Sequence, residues 1–154
     1  MQKITPFLWF DKEAGEAAKF YTSVFEGSKI KDSTTLHDTP SGTVEIVTVE
    51  LFDQEFTLMS AGPLFKFNEA ISFVVHCDTQ EEIDDYWKKL SAVPEAEQCG
   101  WLKDKYGLSW QIVPREFEEM MQGDDPVKVQ RMIDAMMQMQ RLDLGKLRAA
   151  YEGA

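Results

Sequence analysis

The sequence predicts an α+β fold in which one strand–helix–strands unit is used twice and further helices follow. Three observations predict it. Residues 4–11 (ITPFLWFD) and 71–78 (ISFVVHCD) are both apolar, strand-like runs ending in aspartate. Each is followed by a helical pattern with an aromatic pair, KEAGEAAKFYTSVF at 12–25 and TQEEIDDYWKKL at 79–90. From residue 114 strand-like alternation gives way to helix-start signals and a methionine stripe. Self-similarity of this kind sets the architecture and is read first.

Each element has a local reason. In the two helices Phe20-Tyr21 answers Tyr86-Trp87, and Val24 answers Leu90. Ile83, Tyr86, Trp87 and Leu90 recur at i, i+3, i+4 and i+7, which makes one apolar stripe. Asp78 and Thr79 both carry N-cap side chains. The acidic run TQEEIDD complements the positive end of the helix dipole and reads as a solvated face, since its carboxylates do not converge on one point. SKIKDSTTLH and TVEIVTVELF flank DTPSG, a hairpin signature. In the second of these strands Val47, Val49 and Leu51 fall on a helix-facing side, and Ile46, Thr48 and Glu50 on the other. DQEFTLMSAG (53–62) is a further strand.

In the second half EAEQCGWLKD leads into KYGLSWQIV, where Leu108, Trp110 and Ile112 alternate with Ser109, Gln111 and Val113. This half is shorter between helix and closing strand, so at least one strand is brief or lost. PREFEEMMQGDD reads as a short helix or loop. Asp125 as N-cap and Pro126 at the first helical position start another helix. On it Val129, Met132, Met136 and Met139 form an apolar seam, suited to a core, a plastic lid or a subunit contact. LGKLRAAYEGA closes the chain as a short helix. The expected segments are 1–66, 67–116 and 117–154, within one structural domain overall.

Composition narrows the functions. The 154 residues carry 16 Lys+Arg against 27 Asp+Glu, a net charge of -11 at pH 7. Such a surface repels phosphate backbones, so no nucleic-acid partner is expected. The two cysteines, Cys77 and Cys99, form no C-x-x-C, and their spacing from His37 and His76 makes no zinc site. Reduced thiols of a cytosolic protein are expected. The N-terminal apolar run is cut by Asp11 and Lys12 without a cleavage site. No apolar run approaches the ~20 residues that span a bilayer. The expectation is a cytoplasmic protein with no membrane partner.

The segments ITPFLWFD…EAAKFYTSVF, FKFNEAISFVVHCDTQEEIDDYW, CGWLKDKYGLSWQIVP and DPVKVQRMIDAMMQM together resemble the vicinal oxygen chelate superfamily. That superfamily includes glyoxalase I, bleomycin-resistance proteins and extradiol dioxygenases. Within it the chain is most similar to the PhnB-like group, many of whose members carry the name 3-demethylubiquinone-9 3-methyltransferase. The resemblance covers nearly the whole chain. It implies two β-α-β-β-β modules, here with the second shortened, whose curved sheets form an open-barrel cup, plus the C-terminal helices.

In metal-binding relatives four ligands, typically His and Glu, come from the first and last strand of each module. A D-x-x-G-x-x-x-E run there reads Asp104 to Gln111 here, so Gln111 stands at the glutamate position. The resemblance puts Ser72 at the first-strand position of module two, and the repeat gives Thr5 and Met59 in module one. A neutral amide, two hydroxyls and a thioether are a poor set for a divalent cation. No metal ligands and no cofactor are therefore expected. A Rossmann-type methyltransferase, one form of what the group's name suggests, would need a glycine-rich turn after a strand to hold its cofactor, and the chain has no such G-x-G run and no doubly wound β-α alternation.

Strand alternation puts Ser109 and Val113 beside Gln111, Val74 and His76 beside Ser72, and Phe7, Trp9 and Thr57 on the matching side of module one. His76 is the candidate proton-transferring group, with Glu50 as a partner carboxylate. The candidate ligand-binding residues are Gln111, Ser72, Thr5, Met59, Trp9 and Ser109. Trp9 and Trp101 are suited to stacking on a planar ligand, whereas Trp87 and Trp110 read as core. Phe65 and Phe67, between the modules, close a cup end or dock the linker. The expected function is metal-free binding of a small organic molecule by a homodimer. The alternatives are a lyase-, isomerase- or dioxygenase-like enzyme and, second, a methyltransferase.

Overall fold

The computed structural model describes residues 2–154. The chain forms two compact units, one ending at Phe67 and one running from Asn68 to Ala154.

The first unit comprises β1 (Phe7–Phe10), α1 (Ala14–Val24), β2 (Lys29–Thr39), β3 (Gly42–Leu51) and β4 (Gln54–Ser60). Its sheet has the order β1-β4-β3-β2, with β1 parallel to β4 and the other pairs antiparallel. The expected hairpin is β2–β3. Phe52 and Asp53 both have positive φ at the two-residue β3–β4 turn, the backbone that matches the twist of the strands it joins. Leu8, Phe10, Val47, Val49, Leu51 and Leu58 are buried on the face that α1 covers. The helix buries Ala14, Ala17, Ala18, Tyr21 and Val24; its alanines let it lie close on the sheet. Glu13 does not cap α1 with its side chain. Ser60 Oγ on β4 accepts from Ala14 N at 2.9 Å instead, satisfying one of the free N–H groups of the first turn.

β1 starts three residues later than the apolar run. Pro6 has no N–H to give to a ladder, and only its carbonyl is used, by Thr57 N at 2.9 Å. Thr5 thus lies ahead of the strand and is exposed.

The second unit comprises β5 (Ser72–Cys77), α2 (Gln80–Leu90), β6 (Trp101–Lys103), β7 (Ser109–Pro114), α3 (Arg115–Met121), α4 (Pro126–Met136) and α5 (Leu144–Glu152). Its sheet has the order β5-β7-β6. β5 runs parallel to β7, as β1 does to β4, and β6 is antiparallel to β7. The shortening expected between helix and closing strand is real. One 3₁₀ turn, Pro94–Ala96, and the three-residue β6 stand where the first unit has two long strands. Of the two candidate caps, Thr79 serves: its side chain accepts from Glu82 N at 3.2 Å. Asp78 faces Arg115 at 3.2 Å. Ile83, Trp87 and Leu90 are the buried stripe of α2.

The turn before β7 is organised by Asp104, which is wholly buried. Its Oδ1 accepts from Tyr106 N at 2.8 Å and Leu108 N at 3.1 Å, and its Oδ2 from Trp110 Nε1 at 2.9 Å. Gly107 takes positive φ at the tip, where a β-carbon would be strained.

Asp125 caps α4 through Val127 N at 3.0 Å. Val113, Phe117, Met132, Leu142 and Leu147 form a buried cluster with Met120, Met136, Met139 and Tyr151 packed on it. Of the uses open to the methionine seam, Met132 serves a core within this unit. Met139 lies past the end of α4, and its carbonyl accepts from Cys99 N at 2.8 Å, while Gln140 O accepts from Gly100 N at 2.8 Å.

Candidate functional site

A pocket of about 770 Å³ opens in the second unit. One wall is the sheet face that α2 does not cover. Period-two alternation turns Phe73, Val75 and Cys77 one way and Val74 and His76 the other; on β7 it turns Gln111 and Val113 the same way. Trp101 of β6 lies opposite Gln111 in the ladder and completes this wall. The facing wall comes from the C-terminal helices: Phe117 and Glu118 of α3, Met136 and Met137 at the end of α4, and Leu142. Glu69, Gln98 and Cys99 also line it. Most of the lining is apolar, with a few polar groups, the usual composition of a small-molecule site.

The polar groups are specifically engaged. Gln111 Nε2 donates to Ser72 Oγ at 2.9 Å. Two of the four positions implied by the resemblance therefore touch each other. Ser109 lies opposite Ser72 in the ladder and is 1% exposed. His76 Nδ1 lies 2.5 Å from Glu118 Oε1. A carboxylate only accepts, so Nδ1 carries the hydrogen in this contact, and in the neutral tautomer the ring's lone pair lies on Nε2. Both side chains are half-exposed, 42% and 38%, hence open to a ligand. Lys103 pairs with Glu69 and holds that carboxyl below its ordinary value, chiefly by their hydrogen bond.

The two thiols differ. Cys77 faces α2 and is wholly buried. Burial pushes its thiol up to about 12, with the charges of Glu82 and Asp78 adding to the effect and Arg115 opposing it. Cys99 sits at the pocket in a left-handed backbone, φ 52°. Its Sγ accepts from Gln98 Nε2 at 3.2 Å and lies 3.8 Å from Met137 Sδ.

In the first unit, Trp9 Nε1 donates to Gly62 O at 2.9 Å, and its ring meets Phe65 edge-on at 4.9 Å. Phe67 packs edge-on against Phe10 at 5.1 Å. Both linker phenylalanines thus dock onto β1. Met59 pairs with Trp9 in the ladder and is half-buried. Glu50 faces Lys29 Nζ at 3.6 Å. The carboxylate on His76 is Glu118, a residue the strand pattern alone does not mark. Cys99 and the α3 residues carry no sequence signal of pocket lining either. Val74, His76, Gln111 and Val113 were all accessible to alternation.

The donor set does not fit the divalent metal of the glyoxalase-type enzymes. Ser72 and Gln111 are neutral and spend a hydrogen bond on each other. Among the described residues no three His, Cys, Asp or Glu side chains are grouped to hold a metal ion. Nor do the two small sheets, with mostly antiparallel pairing, form the doubly wound parallel sheet on which a Rossmann-type S-adenosylmethionine site is built. Among the described residues no helix is long and apolar enough to cross a membrane.

Three solved structures are similar. A putative 3-demethylubiquinone-9 3-methyltransferase, PhnB protein, from Bacillus cereus shares 36% identity, with 73% of this chain and 99% of that chain covered and a TM-score of 0.61. A protein from Pseudomonas aeruginosa shares 16% identity over 74% of this chain and 98% of its own, with a TM-score of 0.55. A fosfomycin resistance protein from Listeria monocytogenes shares 12% identity over 79% of this chain and 98% of its own, with a TM-score of 0.57. The last two bear on the fold alone. No curated protein matches the chain. The model of the 3-demethylubiquinone-9 3-methyltransferase family matches residues 2–113, ending within β7 and leaving α3–α5 beyond it. With that match and the relative from Bacillus cereus, the chain belongs to the 3-demethylubiquinone-9 3-methyltransferase family.

Proposed function

We propose that the protein binds a small, largely apolar organic molecule in the second-unit pocket, without a metal. The observation that carries this reading is the pocket itself. Trp101, Val74, Val113, Phe117, Met136, Met137 and Leu142 offer an apolar lining to a ligand's body, and His76 and Gln111 offer hydrogen bonds to a polar group. Methionine side chains adapt to ligands of varied outline. A thermal-shift screen of planar aromatic and quinone-like compounds, followed by calorimetry, tests it. Hits are expected to bind the purified protein and to lose at least about tenfold in affinity in Val74→Arg, a loss of about 1.4 kcal/mol. Stoichiometric zinc, nickel or iron in the purified protein, required for that binding, would overturn the metal-free part.

The family's description supplies a second reading, methyl transfer to a demethylubiquinone. An apolar pocket with an indole on its wall suits a quinone ring. Calorimetry with S-adenosylmethionine separates the two readings. Heat with one-to-one stoichiometry supports methyl transfer, and its absence leaves binding alone.

A further inference from the structure

We propose that His76, oriented by Glu118, is a general base in this pocket, and that the pocket takes carbon acids: small apolar molecules with a C–H made acidic by an adjacent carbonyl or ring heteroatom. The inference rests on the reading of the pocket as a small-molecule site and adds chemistry to it.

The first support is the tautomer. The 2.5 Å contact to Glu118 Oε1 leaves Nδ1 as the donor, so in the neutral tautomer the lone pair lies on Nε2. Among the described residues no hydrogen-bond partner takes that nitrogen. Imidazole is basic near neutrality, and a carboxylate behind it stabilises the imidazolium that forms when it takes a proton.

The second support is how α3 is held. Phe117, next to Glu118, is 8% exposed within the cluster around Met132. Arg115 faces Asp78 at the end of β5, two residues beyond His76, at 3.2 Å. Arg148 of α5 grips Glu116, with one contact at 2.7 Å. Three anchors on the three consecutive residues before Glu118 fix where it stands, and a fixed partner spares the base reorganisation during reaction.

The third support is the neighbourhood. The other ionisable groups of the lining are Glu69 and Cys99. Glu69 is bound by Lys103, and Cys99 by Gln98. At the strand end, Asp78 is bound by Arg115, and Glu82 Oε1 accepts from Asp78 N at 3.0 Å. His76 is left as the lining residue with a ring nitrogen, Nε2, that has no hydrogen-bond partner among the described residues.

The step balances without an added reagent. The ligand's C–H proton moves to Nε2, and its electron pair passes to the conjugated oxygen to give an enolate. The imidazolium then returns the proton to the oxygen or to another carbon, a net isomerisation.

The test uses the full-length protein and 5-nitrobenzisoxazole, a planar apolar carbon acid. Loss of its ring C–H proton to a base breaks the N–O bond and releases a coloured nitrophenolate. General bases contribute roughly 10²–10⁴-fold. Saturable turnover is expected, with a kcat at least about 100-fold above the buffer rate. His76→Ala is expected to remove that acceleration and added imidazole to restore part of it. Glu118→Gln is expected to lower kcat about tenfold with little change in KM, and Glu118→Asp to recover part of the loss. Circular dichroism and Tm confirm that each variant folds. Binding is measured separately with the 3-methyl analogue, which lacks the reactive proton. If the analogue binds but no acceleration appears, or if His76→Ala retains the rate, the base assignment is overturned and the binding reading stands. If neither binding nor acceleration is seen, both are overturned for this ligand class.

Discussion

Asp104 shows how much one side chain can decide. Its carboxylate is wholly buried and serves three N–H groups across five residues. It therefore fixes the turn that delivers Gln111 to the pocket wall. A buried donor stripped of its acceptor costs about 1–3 kcal/mol. Asp104→Ala strips three, so a loss of at least about 3 kcal/mol is expected, read as a lowered midpoint in urea denaturation. The cysteines make a second residue-scale case. Cys77 is buried with its thiol pushed up to about 12, whereas Cys99 lines the pocket. Reaction depends on the thiolate and on access to it. Native protein is expected to give one equivalent with a disulfide-exchange reagent at pH 8, and Cys99→Ser none until denaturant is added. Gln111 was legible from its place in an alternating strand. Glu118 was not, because nothing in REFEEMM distinguishes one of its three glutamates from the others.

At the scale of elements, both helices of the repeat were legible from a period of 3.6, β3 and β7 from a period of 2, and β2 from the turn it shares with β3. The errors fell at ends. The apolar run starts at residue 4, but Pro6 removes a ladder donor and β1 begins at Phe7. The methionine seam keeps helical spacing through Met139, but α4 stops at Met136 and the chain then turns to pair with Cys99 and Gly100. Which of core, lid and subunit contact the seam serves is a question of what packs on it, and spacing carries no such information. Met132 is 0% exposed at its centre. Truncating a buried methionine costs about 2–5 kcal/mol. Met132→Ala is expected to lower stability by roughly that amount, read as a lowered midpoint in denaturant unfolding.

At the scale of the molecule, the family match ends at residue 113 and five of the thirteen residues lining the pocket come later. Removing residues 115–154 takes away Phe117, Glu118, Met136, Met137 and Leu142 and uncovers Val113. The truncated chain is expected to bind an apolar dye such as anilinonaphthalene sulfonate and to unfold with reduced cooperativity, both measured by fluorescence.

The sequence by itself determined the α+β class, the doubled unit, its shortened second half, the faces of β5 and β7, and the neutral character of Ser72 and Gln111. Each of these follows from local periodicity or from the identity of one side chain. Only the tertiary structure decided that the C-terminal helices wall the pocket, that Cys99 joins it, and that His76 meets a carboxylate 42 residues away. Those contacts depend on where the chain turns after β7 and which apolar faces close on each other, and burial between distant segments leaves no period in the sequence.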